Sequence, residues 1–196
     1  MPRSAARNAR GRLLLTARRR FAADGALAPT LDEIRRDADV SVGALYHHFP
    51  DKPTLAAAVY AEVMSEYQAG FTAMLRRHDT AEAGIRGGVA HHLRWVAANR
   101  SEAALLLGDR LDSPALRESN RMFFAAVRDW WRPHHSYGVL RPMQAGVTAA
   151  LWFGPAQDFS RYWIDGDELR MPRSVVKTFA DAAWIALRAN TIEEDE

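Results

Sequence analysis

Apolar residues return at three- and four-residue spacing along nearly the whole chain, and no stretch alternates Val, Ile, Thr and aromatics as a half-buried strand requires. A chain patterned this way folds into helices, so the expected class is all-α. Breakers interrupt the pattern near Asp24-Gly25, Pro29, Asp39, Pro50, Asp79-Thr80, Asn99-Arg100-Ser101, Asp112-Ser113-Pro114, Pro133 to Pro142, and Asp165 to Pro172. They leave about nine helices, short ones up to Pro50 and long ones after it. The last four residues, Glu193 to Glu196, read as a frayed acidic tail.

With 48% hydrophobic and 26% charged residues the chain has enough apolar material for a packed core, which excludes disorder and collagen-like structure. Charges interrupt every apolar run well before the roughly 18 residues of a bilayer span, and the Arg-rich beginning lacks the apolar centre of a signal peptide. The expectation is a soluble, cytoplasmic protein with no membrane partner. The absence of cysteine removes disulfides, thiol nucleophiles and thiolate metal sites.

Charge is unevenly spread. Residues 1 to 52 hold 10 Arg or Lys against 6 Asp or Glu, and residues 53 to 196 hold 16 against 18. Seven arginines, Arg3, Arg7, Arg10, Arg12, Arg18, Arg19 and Arg20, precede the first acid, Asp24. Such an arm fits contact with a polyanion, either nucleic acid or a membrane surface. It equally fits a solvated helix face in a chain that carries 24 Arg and 2 Lys.

From Thr30 the local signals agree with one another. Thr30-Leu31-Asp32-Glu33 is a capping box, in which the threonine hydroxyl caps the helix and Glu33 reaches back to the cap backbone. Leu31, Ile34 and Ala38 share one face of the helix that follows, and Asp39 stands where a left-handed turn residue would close it. Ser41 supplies a second N-cap for Val42 to Phe49, in which Leu45 and Phe49 face the same core as Val40. Two short helices joined by a tight turn make a helix-turn-helix.

Phe21-Ala22-Ala23-Asp24-Gly25, Thr30 to Ile34, and Ala38 through Lys52 are carried in register, and across residues 12 to 60 the sequence resembles the TetR family of bacterial transcriptional regulators. The resemblance implies a DNA-binding domain of three short helices over residues 1–50, with the helix opened by Ser41 entering the major groove. It implies a helical ligand-binding and dimerisation domain over 51–196, entered by a long helix starting near Asp51. Carried over position by position, Thr30, Tyr46 and Lys52 would hold phosphates, while Ser41, Val42, Gly43, Ala44 and His47 would face the groove. Read from the residues alone, Tyr46 would be a packed aromatic with its hydroxyl in solvent.

Three positions depart from the family pattern: Val42 stands where many relatives have a basic residue or proline, Asp39 replaces the usual turn glycine, and Arg20 precedes Phe21 where relatives often have an apolar residue. Ser41 to Phe49 therefore holds no permanent positive charge. Base reading would be apolar and backbone-mediated, with Val42 and Ala44 against thymine methyls, and long-range attraction would fall to the N-terminal arginines and Lys52.

Beyond residue 52 no catalytic motif is present: there is no nucleophile paired with a base, no paired carboxylates and no cofactor fingerprint, so neither catalysis nor a cofactor is expected. Tyr60, Met64, Tyr67 and Phe71 share one helix face, and Ile85, Val89, His92 and Val96 share another, both read as core. The resemblance raises a second reading, in which Tyr67, Phe71, His92, Trp95, Asn120, Phe123, Phe124 and Trp152 line a ligand cavity. The pairs His47-His48, His91-His92 and His134-His135 are poor metal ligands, because adjacent helical side chains diverge by about 100°. Asp158, Asp165, Asp167 and Glu168 form no recognisable metal loop.

The apolar segments Leu151 to Trp163 and Phe179 to Leu187 resemble the last two helices through which family members pair as homodimers. Pro155 should bend the first of them. The expected function is a ligand-responsive regulator, a repressor released from a palindromic double-stranded DNA operator by a small apolar or amphipathic effector. The alternative is a helical small-molecule-binding or scaffold protein whose helix-turn-helix serves a protein partner.

Overall fold

The computed structural model describes residues 2–24, 28–108, 111–166 and 170–189, without the side chains of residues 2–8 and 24. Gly25, Asp167, Glu168 and the acidic tail lie outside the described residues, as do the Arg3 and Arg7 side chains. Nine helices are present among the described residues: α1 Pro2–Asp24, α2 Leu31–Asp37, α3 Val42–His48, α4 Lys52–Leu75, α5 Ala81–Ala98, α6 Arg100–Leu107, α7 Pro114–Ser136, α8 Ala145–Ile164 and α9 Arg173–Leu187.

The breaks fall where the sequence places them, with one difference. Pro133 does not end α7, which continues to Ser136. A proline this close to a C-terminus removes one donor while the remaining turn still closes, here through Tyr137 N–H donating to Pro133 O at 3.0 Å. The stop is Gly138, at φ 70°. Its N–H donates to His135 O and that of Val139 to His134 O, the paired bonds of a Schellman cap.

The chain divides into two compact units, Met1–Glu66 with Ser101–Ser119, and Tyr67–Arg100 with Asn120–Glu196. In the first, α1 presents Leu13, Ala17 and Phe21, one turn apart and buried, and packs on α2 and α3. Ile34, Val40, Leu45 and Phe49 are buried in the same unit. A smaller cluster joins Tyr60, Ala61 and Leu116 with Met64, Leu105, Leu106 and Leu111.

In the second unit α5 packs on both α8 and α9, which also pack on each other. Its close approach depends on two glycines. A Cβ on Gly84 would overlap the Trp130 ring, and one on Gly88 would stand 3.0 Å from Trp152. The expected core face Ile85, Val89, His92 and Val96 is buried, as is Phe71. The C-terminus of α8 is held by Arg100, whose guanidinium donates to the Ile164 and Trp163 carbonyls and lies 4.8 Å over the Trp163 ring.

Candidate nucleic-acid interface and small-molecule region

The helix-turn-helix is built by its caps. Thr30 Oγ1 accepts from Glu33 N–H at 3.2 Å and the Glu33 carboxylate accepts from Thr30 N–H at 2.7 Å, so both halves of the capping box form. Those bonds hold the Glu33 carboxyl below its ordinary range. The turn closes as a Schellman cap on Asp39 at φ 49°, with Asp39 N–H donating to Arg36 O and Val40 N–H to Arg35 O. The Arg35 guanidinium also donates to the Val40 carbonyl at 3.1 Å, tying the last turn of α2 to the segment leading into α3. Ser41 Oγ accepts from Ala44 N–H at 3.3 Å, and Asp51 Oδ1 accepts from Thr54 N–H at 2.7 Å, so α3 and α4 each begin on a side-chain cap.

With Leu45 and Phe49 holding α3 to the core, its opposite side is free. Val42 is 54% and Tyr46 55% exposed, Ser41, Gly43 and His47 are exposed, and nothing lies within 4 Å of where a Gly43 Cβ would stand. Ala44 and Lys52 are partly buried, and Thr30 is exposed at the start of α2. The length of α3 and the starts of α2 and α4 thus carry the eight residues expected at DNA, and the helix starts add backbone N–H groups whose partial positive charge suits phosphate oxygens.

The basic arm is a helix, and much of its charge is engaged. Arg18 pairs with Glu66 at 2.8 Å and Glu102 at 3.3 Å, Arg20 with Asp37 at 2.6 Å, and Arg12 with Asp39 at 3.5 Å. Arg10 lies 5.7 Å over the Phe49 ring and 3.9 Å from Glu62. These arginines fasten α1 within its own unit. The long-range attraction that the sequence assigns to them is correspondingly reduced.

In the second unit the residues expected around a ligand form a packed aromatic cluster. Phe71 meets Phe123 at 5.5 Å, Trp152 at 5.9 Å and Phe153 at 5.4 Å between ring centroids. Trp152 Nε1–H already donates to the Ile85 carbonyl at 3.0 Å. Asn120 Oδ1 accepts from Gln68 Nε2 at 2.6 Å, and Phe124 is 52% exposed. Tyr67 packs edge-on to Trp95 at 5.0 Å and places its hydroxyl 3.1 Å from His92 Nδ1, while Ser160 Oγ stands 3.2 Å from His92 Nε2.

The proton positions in that triad follow from donor counting. Ser160 has one hydroxyl proton, and it goes to the Ala156 carbonyl at 2.7 Å. Ser160 Oγ therefore accepts from His92 Nε2–H, and His92 Nδ1 accepts the Tyr67 hydroxyl proton. His92 is neutral, and burial with the nearby His91 and Arg161 pushes its pKa down to about 4. Burial pushes the Tyr67 hydroxyl up, as befits a donor held to a neutral acceptor.

An open groove of about 330 Å³ lies along α4 and α5. Its wall is the α5 stripe Gly87, His91, Arg94 and Ala98, with Trp95 and Asn99 beside it and Met74 and His78 opposite. Of the eight residues expected around a ligand only Trp95 borders this groove. The available signal was the spacing 87, 91, 94, 98, small and polar residues on one helix face beside an apolar one, which a search for aromatic stripes passes over. Among the described residues no group of His, Asp and Glu could hold a metal ion, and no helix is long and apolar enough to cross a membrane.

Residues 13–59 match the sequence model of the bacterial regulatory proteins of the tetR family. No curated protein matches the chain by sequence. Among solved structures, a TetR family transcription regulator from Marinobacter aquaeolei VT8 superposes with a TM-score of 0.76 at 17% identity, covering 96% of this chain and 100% of the other. A regulatory protein of the tetR family from Rhodococcus RHA1 gives 0.71 at 24% identity, with 93% and 98% covered. The fatty acid degradation regulator FadR from Bacillus halodurans gives 0.73 at 15% identity, with 93% and 97% covered. Residues 13–59 thus carry the N-terminal sequence pattern of the tetR family, and the chain as a whole has the fold of these solved regulators.

Proposed function

We propose that the protein is a homodimeric, ligand-responsive repressor that binds a palindromic operator with α3 of each subunit in successive major grooves. The observation that carries this reading is the free side of α3. Val42 and Tyr46, two large side chains that packing would otherwise bury, stand more than half exposed beside the capped starts of α2 and α4. Val42 and Ala44 are suited to thymine methyls, Gly43 admits close backbone approach, and Thr30, Tyr46 and Lys52 hold phosphates. Val147, Leu151 and Tyr162 of α8 and Ile185 of α9 are exposed, which supports pairing of two subunits through these helices. A small molecule bound in the second unit would shift the equilibrium toward a conformer with wrongly spaced recognition helices, and α4, with residues in both units, is the element that would transmit the shift. No catalytic step is required.

The test is selection of binding sites from randomised duplex DNA, followed by anisotropy titration of the selected site at two salt concentrations. A palindromic consensus with a steep salt slope is the expected result. Weak binding without sequence preference would overturn the regulator reading and favour a helical scaffold whose helix-turn-helix meets a protein.

A further inference from the structure

The groove between α4 and α5 has the makings of a site for a small organic anion. Its floor exists because residue 87 is glycine: a Cβ there would stand 2.9 Å from both His78 Nε2 and Met74 Sδ. Its lining combines the apolar side chains of Trp95 and Met74 with the polar ones of His78, His91 and Arg94. Among the described residues no carboxylate lines it. Arg94 is exposed, so its guanidinium is open to a planar acid in the two-bond geometry that arginine favours.

His91 lines the groove as well. Its ring lies against Gly70, where a Cβ would come within 3.2 Å of Cε1 and 3.5 Å of Nε2. About 330 Å³ lies at the small end of ligand sites and suits one or two rings.

We infer that this groove binds an aromatic monocarboxylate, with the carboxylate on Arg94 and the ring against Trp95 and Met74. The inference builds on the ligand-responsive reading above by giving the effector a chemical class and a place. It assigns the site to the α4–α5 groove instead of the aromatic cluster around Phe71.

The test is calorimetric titration of the full-length protein with benzoate, phenylacetate and indole-3-acetate, beside their neutral counterparts benzyl alcohol and 2-phenylethanol. At least one acid should saturate at one molecule per chain, and its neutral counterpart should bind about ten-fold more weakly or worse. Arg94→Gln, at an exposed position that leaves the fold intact by circular dichroism, should weaken the acid by a similar factor. Trp95→Leu should weaken acid and alcohol alike.

Absence of saturable binding below about 1 mM by all three acids would overturn the inference, as would equal affinity for acid and alcohol or an undiminished response in Arg94→Gln. Operator anisotropy separates the two readings. Acid binding that leaves operator affinity unchanged would sustain the site and sink its regulatory role. Release of operator by a compound that is indifferent to Arg94→Gln would sink the site and sustain the regulation.

Discussion

His92 shows how one side chain can be read both as core and as a binding group. It is buried, neutral and held at both nitrogens by Tyr67 and Ser160, so it joins α4, α5 and α8 within one unit and offers no free atom to a ligand. Its pKa of about 4 lies below that of an unfolded histidine, so the unfolded chain takes up a proton first as the pH falls. The stability it contributes is intact above about pH 6.5 and declines toward pH 4, by about 2 kcal/mol between pH 7 and pH 5. Urea denaturation at the two pH values should show that loss, and His92→Gln should flatten it. An unchanged pH slope in the variant would mean that the acid sensitivity lies elsewhere.

At the scale of elements, α2 and α3 were legible residue by residue because their signals are local. The capping box at Thr30, the left-handed Asp39 and the Ser41 cap are each defined within six residues of chain, and all three form. The end of α7 was less legible because two breakers, Pro133 and Gly138, compete within one turn, and the residue with positive φ is the one that stops the helix. The engagement of the α1 arginines could not be read at all, since Arg18 finds Glu66 and Glu102 far along the chain. On α3, Val42→Arg should change the selected operator consensus, while Tyr46→Phe should weaken all sequences about equally and leave the consensus as it is. Site selection on both variants checks this, and an unaltered consensus for Val42→Arg would remove that residue from the groove.

On the scale of the whole molecule, paired subunits are what make a palindrome readable. Replacing Leu151 and Ile185 together by Glu should leave each chain folded, since both are exposed, and give monomers by light scattering. Operator affinity should then fall by about 100-fold or more through lost bivalency. A dimer that survives the double substitution would place the pairing surface elsewhere. The all-α class and the order of helices were open to the sequence because 3.6-residue periodicity is written in every segment. The groove was not, because it depends on what glycine leaves out on α5 and on the return of Met74 and His78 from the end of α4. The same glycines bear on the expected order of assembly. Gly84, Gly87 and Gly88 each lower helix propensity by about 1 kcal/mol relative to alanine, so α5 has little tendency to form before Trp130 and Trp152 arrive to fill the spaces left by Gly84 and Gly88. The expectation is a helix that forms late at the centre of this unit: Gly84→Ala, although it favours the helix locally, should destabilise the protein by about 1–3 kcal/mol through the Trp130 overlap and register in stopped-flow traces as faster unfolding with a nearly unaltered folding rate.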